Sequence, residues 1–218
     1  MFPTLQIGPL ALQTPGLMLL LGVWLGLDLM ERALRQNGVN AEPFYNLVFI
    51  GITAGLLGAR FSFAAQNAAI FAQSPLSLFA LNPGLLDPFG GLALGMLAAA
   101  VYARRKGLQI WQTLDGLTPL LAVLAVAGAL AAAAAGTFFG METSLPWAVD
   151  LWGAKRHPTQ FYALGMALLN LNILGWQKRR GGLQPGELFR LFVLLTAFGW
   201  LLVEGFRGDS ALLPGGWR

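Results

Sequence analysis

The chain has 218 residues, of which 56% are hydrophobic and only 11% charged, with a formal net charge of +4 and no cysteine. A soluble domain carries about 25% charged residues, so this composition excludes a water-driven globule and indicates an all-α polytopic membrane protein. The basic residues gather at the ends of apolar runs, where positive charge sets topology rather than marking a nucleic-acid surface. The missing cysteines exclude disulfides and thiol chemistry, and one histidine with scattered carboxylates gives no metal-ligand spacing.

Residues 1–15 are apolar and broken by Pro3, Pro9 and Pro15; they are too short to span and are expected at the membrane interface. The N-terminus lacks a basic leader and a small-residue cleavage site, so the first apolar run reads as a retained span and not as a signal peptide. That span is placed at about 10–30, with Asp28, Glu31, Arg32 and Arg35 around its end. After the Gly- and Pro-punctuated loop RQNGVNAEP, a second span at about 44–65 carries Arg60 well inside its apolar run. The stretch AQNAAIFAQSPLSLFALNPGLLDPFGG is too interrupted for a span and reads as an interfacial or re-entrant arm, whose backbone needs burial in protein. A short third span, about 90–104, stops at Arg104, Arg105 and Lys106. GLQIWQTLDG, with Asp115, reads as a connecting loop. The fourth span, about 117–139, contains AVAGALAAAAAG, a side of small residues that permits close helix approach.

The loop GMETSLPWAVDLWGAK places Trp147 and Trp152 at the headgroup level, where tryptophan is favoured. A polar cluster of Arg156, His157, Gln160 and Tyr162 opens the fifth span, about 158–177. Pro158 is well placed as its first helical residue, and Lys178, Arg179 and Arg180 close it. The sixth span, about 187–204, ends in Glu204, Arg207 and Asp209. With no internal repeat and no second domain, the expected architecture is one domain over 1–218: a bundle of about six transmembrane helices plus the arm.

The loops after spans one, three and five hold Arg32, Arg35, Arg104, Arg105, Lys106, Lys178, Arg179 and Arg180. Those after spans two and four hold only Lys155 and Arg156. Positive-inside then puts both termini outside. It also brings Arg60, His157, Gln160, Tyr162, Glu204 and Arg207 to one membrane level, which is the strongest indication of a site. Arg60 in an apolar span is expensive alone, and Glu204 is its expected partner. Glu204 and Arg207 are three apart and can also pair as an ordinary helix-end couple. His157 has the chemistry of a general base, against the plainer reading of a helix-capping residue. Gln160 and Tyr162, two apart, cannot share a helix face, so one is expected toward the bundle and one toward the interface. No Gly-rich loop follows a strand, so no nucleotide fingerprint is present, and no cofactor or nucleic-acid partner is expected.

At these residues the chain resembles the bacterial phosphatidylglycerol–prolipoprotein diacylglyceryl transferases. The matching pieces come in family order: IGPLALQTPGLMLLLGV for the N-terminal arm and first span, then GITAGLLGARFSF with Arg60. SPLSLFAL follows with Phe89, Gly90 and Gly91, then LPWAV, RHPTQFY and LVEGFRGD. The resemblance implies transfer of a diacylglyceryl group from phosphatidylglycerol to the lipobox cysteine of a lipoprotein precursor, at the outer leaflet of a bacterial plasma membrane. It implies lipid-phosphate binding by Arg60, Arg156 and Arg207, since arginine suits a phosphate leaving group. Catalysis would fall to His157 and Glu204, and positioning to Gln160 and Tyr162. The departures are concentrated. The family pattern Gly-Arg-x-Gly-Asn-Phe-x-Asn-Gly-Glu falls on AGALAAAAAGT, with its Arg near Ala129, its first Asn near Ala132 and its Glu at Thr137. Phe89, Pro15 and Trp200 stand where the pattern has His, Tyr and Arg. The alternative expectation is therefore a catalytically silent relative, a subunit or lipid-binding scaffold of a larger membrane complex. A small transporter is the weaker third reading, for want of paired broken helices.

Overall fold

A computed structural model describes residues 4–7, 10–73 and 83–209. These residues form seven α-helices and two short antiparallel hairpins. Two helices, α2 (Glu42–Gln66) and α5 (Ile110–Ala135), are each long and apolar enough to cross a bilayer. Leu20, Phe49, Leu92 and Leu201 are exposed apolar side chains on four different helices, a surface suited to lipid and not to water. The chain divides into two compact units, 39–113 and 1–38 with 114–218.

Unit 39–113 contains α2, α3 (Ala68–Gln73), a 3-10 turn (Pro83–Leu85) and α4 (Pro88–Arg105). Its core is a seam of small residues. A Cβ built on Gly95 would stand 2.8 Å from the Gly51 carbonyl oxygen, and one on Gly91 2.9 Å from that of Gly55. Helices α2 and α4 thus meet backbone against backbone, the approach that glycine alone permits. Of the stretch expected as an interfacial or re-entrant arm, the described residues form α3 and the 3-10 turn; SPLSLFAL lies outside the described residues. Asp87 starts α4: its carboxylate accepts the N–H groups of Phe89 and Gly90, each at 3.1 Å, and Pro88 takes the first helical position, where a missing N–H is harmless.

The other unit contains a hairpin β1 (Thr4–Ile7) and β2 (Leu10–Gln13), then α1 (Thr14–Arg35), most of α5, a hairpin β3 (Val149–Leu151) and β4 (Ala154–Arg156), α6 (Thr159–Arg180) and α7 (Glu187–Glu204). Residues 10–13 are strand, so α1 begins later than the expected span. It also continues past Met30, its charges paired at i,i+4: Arg32 with Asp28 at 2.8 Å, and Arg35 with Glu31. The expected connecting loop at 107–116 is corrected more sharply. From Ile110 onward it is helix, and Thr113 and Thr118 donate their hydroxyls to the carbonyls four residues back. Asp115 is therefore a helical residue, and its carboxylate accepts the N–H groups of Gly186 and Phe189. It supplies the cap that α7 lacks in its own sequence, because Gly186, at φ +89°, has no side chain to offer.

Helix α5 uses its small residues in two ways. One side meets α1: a Cβ on Gly26 would stand 3.3 Å from the Leu120 backbone, and Gly22 lies against Ala127. A Cβ built on Gly128, by contrast, would meet nothing within 4 Å. At the other end of this unit Ala122, Leu174 and Leu188 are buried together, and Lys178 donates to the Ala33 carbonyl at 2.8 Å.

Candidate functional site

The segment between α5 and α6 is organised around Gly140. A Cβ there would meet the His157 backbone, and one on Gly208 would stand 2.8 Å from the Gly140 carbonyl oxygen. Three strands of chain are therefore pressed together where only glycine fits. Met141 donates its N–H to Phe206 at 2.9 Å, His157 to Met141 at 2.9 Å and Gly208 to Phe139 at 2.8 Å. This network fixes the start of α6 against the end of α7, and it gathers Arg156, His157, Tyr162, Glu204 and Arg207, while Arg60 belongs to the other unit.

His157 does not cap α6. Its ring packs on Phe206 (centroids 5.2 Å) and beside Tyr162 (6.1 Å), with Nδ1 3.3 Å from the Tyr162 hydroxyl. That hydroxyl also accepts the indole N–H of Trp147 at 2.9 Å, which leaves its own proton for Nδ1 in the tautomer that carries its hydrogen on Nε2. Pro158 is the residue just before the helix and Thr159 the first within it. Gln160, at 2% exposure, faces the bundle, and Tyr162 is half-buried at its margin; the two split as their spacing requires. The Gln160 amide donates to the Thr137 carbonyl at 2.8 Å.

The cations are already engaged. Arg156 reaches Glu142 at 3.1 Å and the Leu151 carbonyl at 3.2 Å, and lies over the Phe139 ring. Arg207 pairs with Glu204 at 2.7 Å and Asp209 at 3.0 Å, and lies over Phe138 at 4.6 Å. In the unit 39–113, Arg60 donates to the Leu85 carbonyl at 3.0 Å and lies 5.8 Å from the Phe71 ring centroid. It braces the turn that presents Asp87. The sequence does not single out the aromatic partners Trp147 and Phe206 or the acid Glu142 for a site, because their contacts join segments far apart in the chain; Asp209, two residues from Arg207, is a local partner.

Beside this cluster, α5, α6 and α7 enclose a cavity of about 240 Å³. Ala125, Gly128, Ala129 and Ala132 give one wall, and Gln160, Asn170 and Thr196 each place a polar side chain on it. Ala129 and Ala132, near which the resemblance would set the Arg and the first Asn of the transferase pattern, lie on that wall. Asn170 and Thr196 were passed over in the sequence, although a polar residue inside an apolar span is itself a signal. No group of three or more His, Cys, Asp or Glu side chains fit to hold a metal occurs among the described residues.

Residues 3–218 match the family profile described as prolipoprotein diacylglyceryl transferase. A phosphatidylglycerol–prolipoprotein diacylglyceryl transferase of Cutibacterium acnes is 30% identical, over 98% of this chain and 76% of its own length. The protein of the same name from Thermus thermophilus is 31% identical over 96% of this chain and 85% of its own. That of Corynebacterium diphtheriae is 24% identical over 98% and 83%. The chain belongs to the prolipoprotein diacylglyceryl transferase family.

Proposed function

We propose that this protein is a catalytically silent member of its family, a lipid-holding scaffold of the bacterial plasma membrane. The observation that carries the reading is the wall of the cavity. Ala129 and Ala132 line it, and a methyl group can neither donate to a leaving phosphate nor take a proton from a thiol. Arg156 and Arg207, the cations expected to bind lipid phosphate, are each paired with carboxylates of the same chain. Removing one well-placed oxyanion donor lowers a rate by about 100- to 1000-fold, and several are replaced here.

In this reading the chain is one membrane domain of about six spans, α1, α2, α4, α5, α6 and α7, with both termini outside. Length and hydropathy support α2 and α5. Exposed apolar side chains such as Leu20, Leu92, Leu169 and Leu201 support the other four.

The second reading is the family reaction itself, with phosphatidylglycerol and a lipoprotein precursor as substrates. Relatives bearing that activity in their names, similar over almost the whole chain, favour it, as does the contact of His157 with Tyr162. There His157 and Glu204 would act on the thiol and leaving group, Arg60, Arg156 and Arg207 would hold the lipid phosphate, and Gln160 and Tyr162 would position them. One experiment separates the two. Expressed in a strain depleted of its own transferase, the protein is expected to restore neither growth nor lipoprotein modification. Rescue at ordinary expression would establish the family reaction and make His157→Ala and Arg60→Ala the decisive variants.

A further inference from the structure

We infer that a second cleft, at the end of the unit 1–38 with 114–218 opposite to His157, binds the phosphate of an anionic phospholipid whose acyl chains lie along α6. The end of α1, the start of α5, the end of α6 and the start of α7 line it. None of its residues lines the cavity beside His157, so the inference holds whether or not the protein transfers a diacylglyceryl group.

The first ground is charge. The cleft has a volume of about 390 Å³, within the roughly 300–1,000 Å³ of small-ligand sites. Arg32, Lys178 and Arg179 line it, and no carboxylate does. Arg32 is paired with Asp28. Lys178 and Arg179 have no carboxylate within ion-pair distance. The acids on the surrounding helices are engaged elsewhere. Glu31 pairs with Arg35, Asp115 accepts the N–H groups of Gly186 and Phe189, and Glu187 accepts that of Gln184. Helix α6 itself carries no acid. Two adjacent cations without a counter-ion repel each other, and an anion between them removes that cost.

The second ground is how Lys178 is held. It is half-buried, and its ammonium donates to the Ala33 carbonyl at 2.8 Å. That bond caps a carbonyl in the last turn of α1, an ordinary role for lysine, and fixes the charge at the wall of the cleft. It uses one of three N–H donors and gives no role to Arg179. A lysine ammonium beside an arginine fork is a pairing suited to phosphate oxygens.

The third ground is the change of polarity along the cleft, which selects a lipid over a free anion. On α6 it runs from Leu171 to Arg179, eight residues or about 12 Å of helix. Leu171 and Leu174, with Leu29 of α1, make the end toward the middle of α6 apolar. Lys178 and Arg179, with the carboxamides of Gln36 and Asn37, make the other end rich in donors. A free phosphate would use only the second part; an anionic phospholipid uses both.

The test uses the full-length protein in nanodiscs of phosphatidylcholine, with phosphatidic acid carrying a photoactivatable acyl chain as probe and peptide mapping of the adducts. Adducts are expected around Leu29 and Leu171. Unlabelled phosphatidic acid is expected to compete, diacylglycerol at equal mole fraction not, and inorganic phosphate no more than sulfate of equal ionic strength. Gly175 lines the cleft, and a Cβ there would meet nothing within 4 Å; Gly175→Leu is expected to abolish labelling with every charge in place. Arg179 is exposed, and Arg179→Gln is expected to weaken labelling about fivefold, the effect of one cation near an anionic lipid, with the melting temperature retained. Arg180, in the same turn, lies over the Trp176 ring and outside the cleft; Arg180→Gln is expected to change nothing. No adducts at these positions, or Gly175→Leu labelled at the wild-type level, would overturn the inference. Equal weakening by Arg180→Gln and Arg179→Gln would overturn it in favour of diffuse charge that only sets topology. Displacement by inorganic phosphate beyond the sulfate control would overturn the lipid in favour of a free anion.

Discussion

The carboxylate of Asp115, one and a half turns into α5, accepts the backbone N–H of Phe189 at 2.8 Å and that of Gly186 beside it. A cap for α7 is thus supplied from 71 residues away in sequence. A negative charge at a helix N-terminus also meets the positive end of the helix dipole. Asp115→Ala is expected to lower stability by about 1 kcal/mol, the usual effect of a lost N-cap, with Asp115→Asn retaining part of it. Unfolding in a mixed-detergent titration measures both; an unchanged Asp115→Ala midpoint would mean the cap contributes nothing.

The seam in the unit 39–113 gives a contrast between two glycines. A Cβ at Gly95 would press on the Gly51 carbonyl at 2.8 Å, backbone against backbone, with no flexible side chain to yield. Gly95→Ala is therefore expected to destabilise by about 1–3 kcal/mol, as overpacking does. Gly51→Ala places its methyl at an ordinary 3.7 Å from Ala99 and is expected to stabilise by about 0.5–1 kcal/mol through the lower chain entropy of alanine. Equal effects from the two substitutions would refute the seam.

Asp87 links that unit to pH. The Ser62 hydroxyl, then the N–H groups of Gly90 and Phe89 and the Gln66 amide, hold its carboxyl below the ordinary 3.8 against a smaller opposing effect of burial. A folded value below the unfolded one means that the stabilisation is fully present above 3.8 and is lost as pH falls through the folded value. The melting temperature of the wild type is expected to fall toward that of Asp87→Asn across this acid range, the two curves converging at its lower end. A constant difference down to the most acid pH would exclude Asp87 as the titrating group.

Helices α1, α4 and α6 were legible because each is an apolar run closed by its own charges: Arg32 and Arg35 end α1, Arg104, Arg105 and Lys106 end α4, and Lys178, Arg179 and Arg180 end α6. The resemblance that led to the family rested on short motifs that survive intact, RHPTQFY above all. What stayed hidden was anything settled by a distant partner. Asp115 looks like a loop residue because Gly116 follows it, and only the N-terminus of α7 gives it a reason to be helical. The alanine run of α5 reads as a packing face, and half of it is; the other half lines a cavity. Composition cannot distinguish methyl groups that meet a neighbour, as Ala127 meets Gly22, from those that leave a space.

The sidedness of α6 is open to direct measurement. Its 22 residues rise about 33 Å, close to the roughly 30 Å of a bilayer's hydrocarbon core. The basic cluster at its C-terminal end is expected on the cytoplasmic side, and the β3–β4 hairpin before its N-terminal end outside. The chain has no cysteine, so single introduced thiols report without background. Ser144 and Gln184 are both exposed, one on each side of the helix in sequence. Ser144→Cys is expected to react with an impermeant maleimide in intact spheroplasts, and Gln184→Cys only after the membrane is permeabilised. The reverse pattern would place the Gln160 end of the cavity, and with it the His157–Tyr162 contact, at the cytoplasmic leaflet. The transfer that the resemblance implies takes place at the outer leaflet, so the second functional reading would then fall, while the lipid-holding one would survive with its leaflet exchanged.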